Sequence, residues 1–175
     1  FQRKQGGTIV MPATQHAPWA YVMGETPGDV FVQADKLSTA LGDAFRLADS
    51  TALMRYRDGR DLLGYRDGTE NPKGDDAWAA ALVPDGEWAG GSFAFVQRYV
   101  HDRPRFFKLA QGERDNVIGR TEAADDELED APHTAHVKRT AQEDFDPPAF
   151  MLRRSMPWGD ARRHGLVFVA FVADL

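Results

Sequence analysis

The chain has 175 residues, 42% of them hydrophobic and 27% charged, with a net charge of −6 and no cysteine. That length carries one domain with a real core, or one domain and part of a second. The acidic balance argues against nucleic acid as the main partner, since phosphate contact needs a basic surface, and the missing cysteine removes disulfides, thiolate metal sites, iron–sulfur clusters and cysteine nucleophiles together. No apolar run approaches the roughly 18 residues that suggest a membrane span. Phe1 is not a natural initiator and no charged-then-apolar leader follows it, so a processed or partial N-terminus is expected, compatible with a lost targeting segment. Cytoplasm is the expected compartment.

Residues 1–14 read as irregular, and His16 to Gly24, rich in Trp19, Tyr21 and Val22, as a strand. Thr26-Pro27-Gly28-Asp29 is a helix start, with Thr at the N-cap, Pro at the first helical position and an acid two residues further in. The helix is expected to run to about Leu41, with Val30, Ala34, Leu37 and Leu41 on one face, and Gly42 closes it. Phe45 to Tyr56 reads as extended. Residues 57–74 form a turn-rich loop, followed by a short helix from Asp75 to Leu82. Gly91 to His101 is a strand in which Phe93, Phe95, Gln97 and Tyr99 alternate with Ala94, Val96, Arg98 and Val100. Residues 103–118 read as one or two helices ending at Gly119-Arg120, and the acidic run Glu122 to Asp130 as a solvated helix or loop. Phe150 to Ser155 is a short strand. Leu166 to Ala173 is a buried one, an unusual place for a chain to stop, so a partial C-terminus is expected as well.

The loop Gly64-Tyr65-Arg66-Asp67-Gly68-Thr69-Glu70-Asn71-Pro72 concentrates the chemistry. It sets one aspartate among turn formers, where its carboxylate can be aimed into a cavity or merely cap a turn. Tyr-Arg-Asp-Gly occurs twice, at 56–59 and 65–68, but only the second copy has a glycine three residues before the Asp and Asn-Pro after it; the first reads as a turn. The loop lacks the alternating oxygen ligands and distal Glu of a calcium hand. Neither a phosphate-binding glycine loop nor a nucleophile elbow is present. Of the histidines, His133 and His136 stand three apart, a spacing that points them to opposite faces of a strand or turn, so a shared metal is disfavoured. One of them as a single axial ligand of a haem iron needs no second protein ligand. Arg153 and Ser155 lie two apart on a predicted strand and share a face, with Arg154 opposite. An inward arginine needs an anion or polar ligand, whereas arginines on an edge strand simply meet surface carboxylates.

Six ordered segments together resemble the dye-decolorising peroxidases, haem enzymes of the chlorite-dismutase-like superfamily, and the class B, porphyrinogen-peroxidase-like group in particular. They are Met11 to His16; Arg60 to Pro72 with Gly-x-x-Asp-Gly inside it; Gly90 to Phe93 with Val96-Gln97-Arg98; Val117 to Thr121; Ala135-His136-Val137; and Leu152 to Gly159. The resemblance implies an α+β, ferredoxin-like antiparallel sheet with helices on one face (the dimeric α/β-barrel arrangement). It divides the chain into part of a first domain, residues 1–60, and most of a second, haem-binding one, residues 61–175. It implies haem b as cofactor and hydrogen peroxide as oxidant, with dyes, phenolics or porphyrinogens oxidised through a ferryl-oxo porphyrin radical. His136 takes the place of the proximal iron ligand, because the family ligand stands 17 residues before the distal arginine, here Arg153; His133 is the competing choice. Asp67 and Arg153 take the place of the distal pair that handles peroxide, Ser155 lines the distal pocket, and Arg120 meets a haem propionate. Gly68, Thr69 and Glu70 fall on the cofactor-binding loop. Trp78, Trp88, Trp158 and Tyr99 are candidates to relay electrons from bulky substrates. Family members extend further at both ends, assemble as homo-oligomers and in some cases are packaged in encapsulin shells. The competing reading is a haem-binding or haem-handling protein with little peroxidase turnover, which has no need of an Asp–Arg pair.

Overall fold

A computed structural model describes residues 4–6, 9–11 and 13–174. Two compact units divide the chain, residues 1–50 and 51–175. In the first, β1 (Lys4–Gly6) and β2 (Ile9–Met11) pair antiparallel, and helix α1 spans Pro27–Leu41. The N-terminus of α1 forms as its sequence dictates. Thr26 Oγ1 accepts the Asp29 N–H at 3.2 Å, and Asp29 Oδ2 accepts the Thr26 N–H at 2.9 Å, so two otherwise orphaned donors are satisfied reciprocally. Gly42 ends the helix with φ +52°. No residue of α1 is buried, and Phe31 and Leu37 remain exposed. Of the predicted start of the first domain, Pro12 lies outside the described residues.

The stretch from His16 to Gly24 is not a strand. Trp19 and Tyr21 stack at 6.0 Å, as side chains two apart on extended backbone do. Pro18 removes one ladder donor, however, and the segment has no ladder partner among the described residues. Phe45 to Tyr56 likewise forms no strand; a single bridge joins Leu53 to Trp158. The Met54 N–H donates to the Pro157 carbonyl at 2.9 Å. Residues 51–60, read from the sequence as the end of the first domain, therefore pack with the second unit.

The second unit is built on an antiparallel sheet. Its central strand, β6 (His164–Val172), lies between β3 (Phe93–Val100) and an interrupted strand made of β4 (Leu152–Arg153) and β5 (Met156–Gly159). The pairs Arg153–Ala170 and Met156–Val167 keep one register across the interruption. Paired on both edges, β6 buries Val167, Val169, Ala170 and Val172. Trp158, Val167 and Val169 form the core, with Leu53 and Phe171 packed against it, and the Trp158 indole N–H donates to the Tyr99 carbonyl at 2.9 Å. Helix α2 (Asp75–Ala81) packs on β4 and β6. The predicted helical stretch after β3 divides into α3 (Arg103–Phe106) and α4 (Gln111–Ile118). A short helix, α5 (His136–Thr140), precedes β4.

Candidate active site

Three elements bring the predicted residues together: the loop after residue 57, the start of α5, and β4. The loop is fastened before and after Asp67. Ahead of it, Tyr65 is buried and its hydroxyl donates to Asp115 Oδ1 on α4 at 2.6 Å. Desolvation, together with that hydrogen bond, pushes the phenol's pKa well up. Burial opposes ionisation of Asp115, but hydrogen bonds from Tyr65, Gln111 and the Glu122 N–H outweigh it and hold the carboxyl below its usual range. Beyond Asp67, the Asn71 side chain grips the backbone of Arg153. The first Tyr-Arg-Asp-Gly copy is indeed a turn, and it also supports the second: the Asp67 N–H donates to the Gly59 carbonyl at 3.3 Å, and Asp58 pairs with both Arg60 and Arg66. Gly64 and Gly68 adopt φ +103° and +73°, the left-handed region where a side chain is strained. Thr69 and Glu70 are exposed in the same loop.

His136 opens α5, whose seat is set from two directions. Gly119, with φ +92° just past α4, lies against Ala135 and Val137, so close that an added Cβ would overlap the Val137 side chain. Lys138 Nζ reaches Glu127 Oε1 at 2.7 Å. The acidic run is therefore loop, as one of its two expectations had it, but not wholly solvated. Asp125 turns inward with φ +64° to hold Arg120, and Arg120 bridges to Glu127. The Arg120 guanidinium meets three carboxylates, Glu70 at 3.2 Å, Asp125 at 3.1 Å and Glu127 at 3.5 Å. His133 is exposed outside the helix.

Asp67, Arg153 and His136 act on one another electrostatically. Burial raises the Asp67 pKa, the Arg153 charge and to a smaller extent His136 pull it back, and Asp61 pushes it up further. Desolvation and then Arg153 lower the His136 pKa, against the opposing charges of Asp67 and Asp61. Asp61 in turn holds His101 at 2.9 Å. Asp67 and His136 are open to solvent, yet surrounded closely enough for desolvation to lead in both shifts. A wide hollow of about 760 Å³ beside α4, lined by Arg57, Asp58, Arg60, Asp115 and Glu122, holds none of the three. Mutual electrostatics, rather than volume, marks the site.

Arg153 and Ser155 are both half-buried and Arg154 between them is exposed, as a shared face implies, but the strand is not continuous through Ser155. Ser155 falls in the interruption between β4 and β5. Arg154 N–H still donates to the Val169 carbonyl at 2.8 Å, but the Val169 N–H is taken by Ser155 Oγ at 3.3 Å. The hydroxyl competes with the main chain for a ladder donor and breaks the strand there. Asn71 and Tyr65 carried no sequence signal beyond turn former and aromatic, because their partners lie 82 and 50 residues away.

No group of three or more His, Asp or Glu side chains among the described residues is arranged to hold a metal ion. One imidazole biased toward its neutral form suits a single bond to a haem iron, and the charges that act on it are those of Arg153, Asp67 and Asp61. The family model for the C-terminal part of Dyp-type peroxidases matches residues 58–175, which include every residue of the site. A dye-decolorizing peroxidase of Mycobacterium tuberculosis is 35% identical over 98% of this chain and 53% of its own length. One from Rhodococcus erythropolis is 33% identical over 91% and 50%. Among solved structures, a variant of DypB from Rhodococcus jostii RHA1 in complex with heme superposes with a TM-score of 0.88 at 32% identity, covering 98% of this chain and 58% of that one. A putative Dyp-type peroxidase from Shewanella oneidensis gives 0.86 at 30%, covering 99% and 58%. The chain thus spans about half the length of the curated relatives it matches. Its antiparallel α+β sheet is the ferredoxin-like one of those neighbours, and the chain belongs to the Dyp-type peroxidase family.

Proposed function

We propose that this chain forms the haem pocket of a peroxidase that reduces hydrogen peroxide and oxidises dyes, phenolics or porphyrinogens. One observation carries the reading: a desolvated carboxylate, a charged guanidinium and a neutral-biased imidazole, drawn from three elements, perturb one another at one site. Haem b, when bound, would supply a redox-active iron and the two electrons that cleavage of the peroxide O–O bond consumes. His136 would hold it, because a depressed pKa keeps the ring's lone pair free for the metal at and below neutral pH. Arg120 would hold a propionate. Its Glu70 partner is the most exposed of the three carboxylates, at 70%, and the easiest to displace.

Asp67 and Arg153 divide the peroxide chemistry. The Asp67 carboxylate takes the proton from one peroxide oxygen and returns it to the other, so that water leaves. A carboxylate with a raised pKa is the stronger base, and the Arg153 charge limits how far burial raises it. The guanidinium stays charged at any working pH and favours negative charge developing on the departing oxygen. Gly68 and Thr69 shape the loop that presents Asp67. Ser155 Oγ, an acceptor for Val169, keeps its own proton to donate. We assign the working compartment to the cytoplasm and the assembly to a homo-oligomer, with packaging in an encapsulin shell as the family's variant of both.

Titration of the chain with haem, then peroxide, followed by absorption spectroscopy, tests the proposal. Haem should bind, His136→Ala should lose the axial ligand, and peroxide should change the spectrum of wild type but far more slowly that of Asp67→Ala. Haem binding with no response to peroxide would favour haem handling instead.

A further inference from the structure

We propose that Asn71 is the positioning residue that fixes Arg153 relative to Asp67, its side-chain amide serving as a one-residue strand partner for β4. The ladder geometry leads to this. Arg154 donates to Val169 across the sheet, so the residue before it, Arg153, turns its N–H and C=O away from β6. Those two groups would otherwise be an open strand edge. Asn71 closes it, accepting the Arg153 N–H on Oδ1 at 2.8 Å and donating from Nδ2 to the Arg153 carbonyl at 3.1 Å. Oδ1 also lies 3.5 Å from Arg153 Nε, at the outer limit of a hydrogen bond. Donor and acceptor on one short side chain is the property of an amide. Aspartate lacks the donor and leucine lacks both.

The other end of the same residue shapes the aspartate loop. The Asn71 N–H donates to the Gly68 carbonyl at 3.2 Å, closing the turn that follows Asp67. A Cβ on Gly68 would stand 2.9 Å from Asn71 Nδ2, so the glycine leaves room for the amide as well as for its own φ of +73°. One side chain thus sets the spacing of two groups whose charges act on each other. A turn-forming role needs only the main-chain bond to Gly68; the two bonds to Arg153 are the excess that points to positioning.

The inference rests on the peroxidase reading, and the test separates the two. Asn71→Leu and Asn71→Asp are made in the wild-type chain and in Arg153→Ala. For each, the peroxide reaction of the haem-loaded chain is timed by stopped flow, the Asp67 pKa of the unloaded chain is read by carbon-13 NMR, and thermal unfolding is recorded. Asn71→Leu should slow the peroxide step about 10- to 100-fold and raise the Asp67 pKa as the Arg153 charge is unmoored. In Arg153→Ala it should change neither, yet lower the unfolding temperature as before, because the lost bonds are to the main chain. Asn71→Asp, which keeps the acceptor, should fall between, and it carries the test if the leucine variant does not fold. Equal rate losses in both backgrounds, or an unmoved Asp67 pKa in the wild-type background, would overturn the proposal. A wild-type chain unreactive to peroxide, but with the NMR coupling intact, would sink the peroxidase reading and leave the positioning role standing.

Discussion

Gly119→Ala tests whether α5, and with it His136, is seated by backbone packing. The position has φ +92°, and its hydrogen is all that separates it from Ala135, which is fully buried, and from Val137. An alanine in the left-handed region costs about 1–2 kcal/mol. Its methyl group would lie 3.2 Å from Ala135 Cβ and overlap Val137, so α5 must shift, an overpacking cost of about 1–3 kcal/mol. The lower entropy of the unfolded alanine chain returns about 0.4–1 kcal/mol, leaving a net loss of about 1–5 kcal/mol. Gly112→Ala is the internal control. It lies inside α4 with open space around it, and the same substitution there should stabilise by about 0.5–1 kcal/mol. Urea unfolding of both variants gives the stabilities, and haem titration should show affinity falling about tenfold for Gly119→Ala alone. If Gly119→Ala were as stable as wild type, the packing argument would fail. If stability fell while haem affinity held, Gly119 would have no part in placing His136.

Tyr65→Phe removes a donor to an ionised carboxylate, so urea unfolding should show a loss of about 1.5–3 kcal/mol, with the peroxide step slowed as the loop before Asp67 loosens. Glu70→Gln frees one side of Arg120 from an exposed carboxylate, and haem affinity should rise, by no more than about fivefold given the worth of such pairs. For pH, Asp67 has a native pKa above its ordinary 3.8, so the folded chain binds more protons than the unfolded one above that value, and stability falls as pH rises through the native midpoint. Asp67→Asn should therefore be more stable than wild type at pH 7 by thermal unfolding while losing the peroxide step. His136 carries the opposite sense of shift: its native pKa lies below the ordinary 6.5, so its contribution is intact above 6.5 and is lost as pH falls through the window beneath it. A His136 signal, assigned by its loss in His136→Ala, that titrates at or above 6.5 in the unloaded chain would contradict that.

Local rules made much of this chain legible in its sequence. The capping box of Thr26 and Asp29, the glycine stops at Gly42 and Gly119, the turn chemistry around Asp67 and the apolar run of β6 all act over a few residues, and all appear in the structure. The ordered motifs also named Asp67, His136 and Arg153, which the fold brings into electrostatic contact. Two stretches with strand composition, 16–24 and 45–56, nevertheless found no ladder, because a strand exists only where a partner edge is offered. The strand breaks at Ser155, whose hydroxyl rather than a carbonyl takes the Val169 N–H. Arg120 was claimed by carboxylates from two different loops. The contacts that aim the site, Tyr65 to Asp115 and Asn71 to Arg153, span 50 and 82 residues. Residue identity and short-range geometry determined which groups could do the chemistry. Desolvation, strand pairing and long-range hydrogen bonds depend on what the chain packs beside each group, so the tertiary structure alone decided how those groups are held.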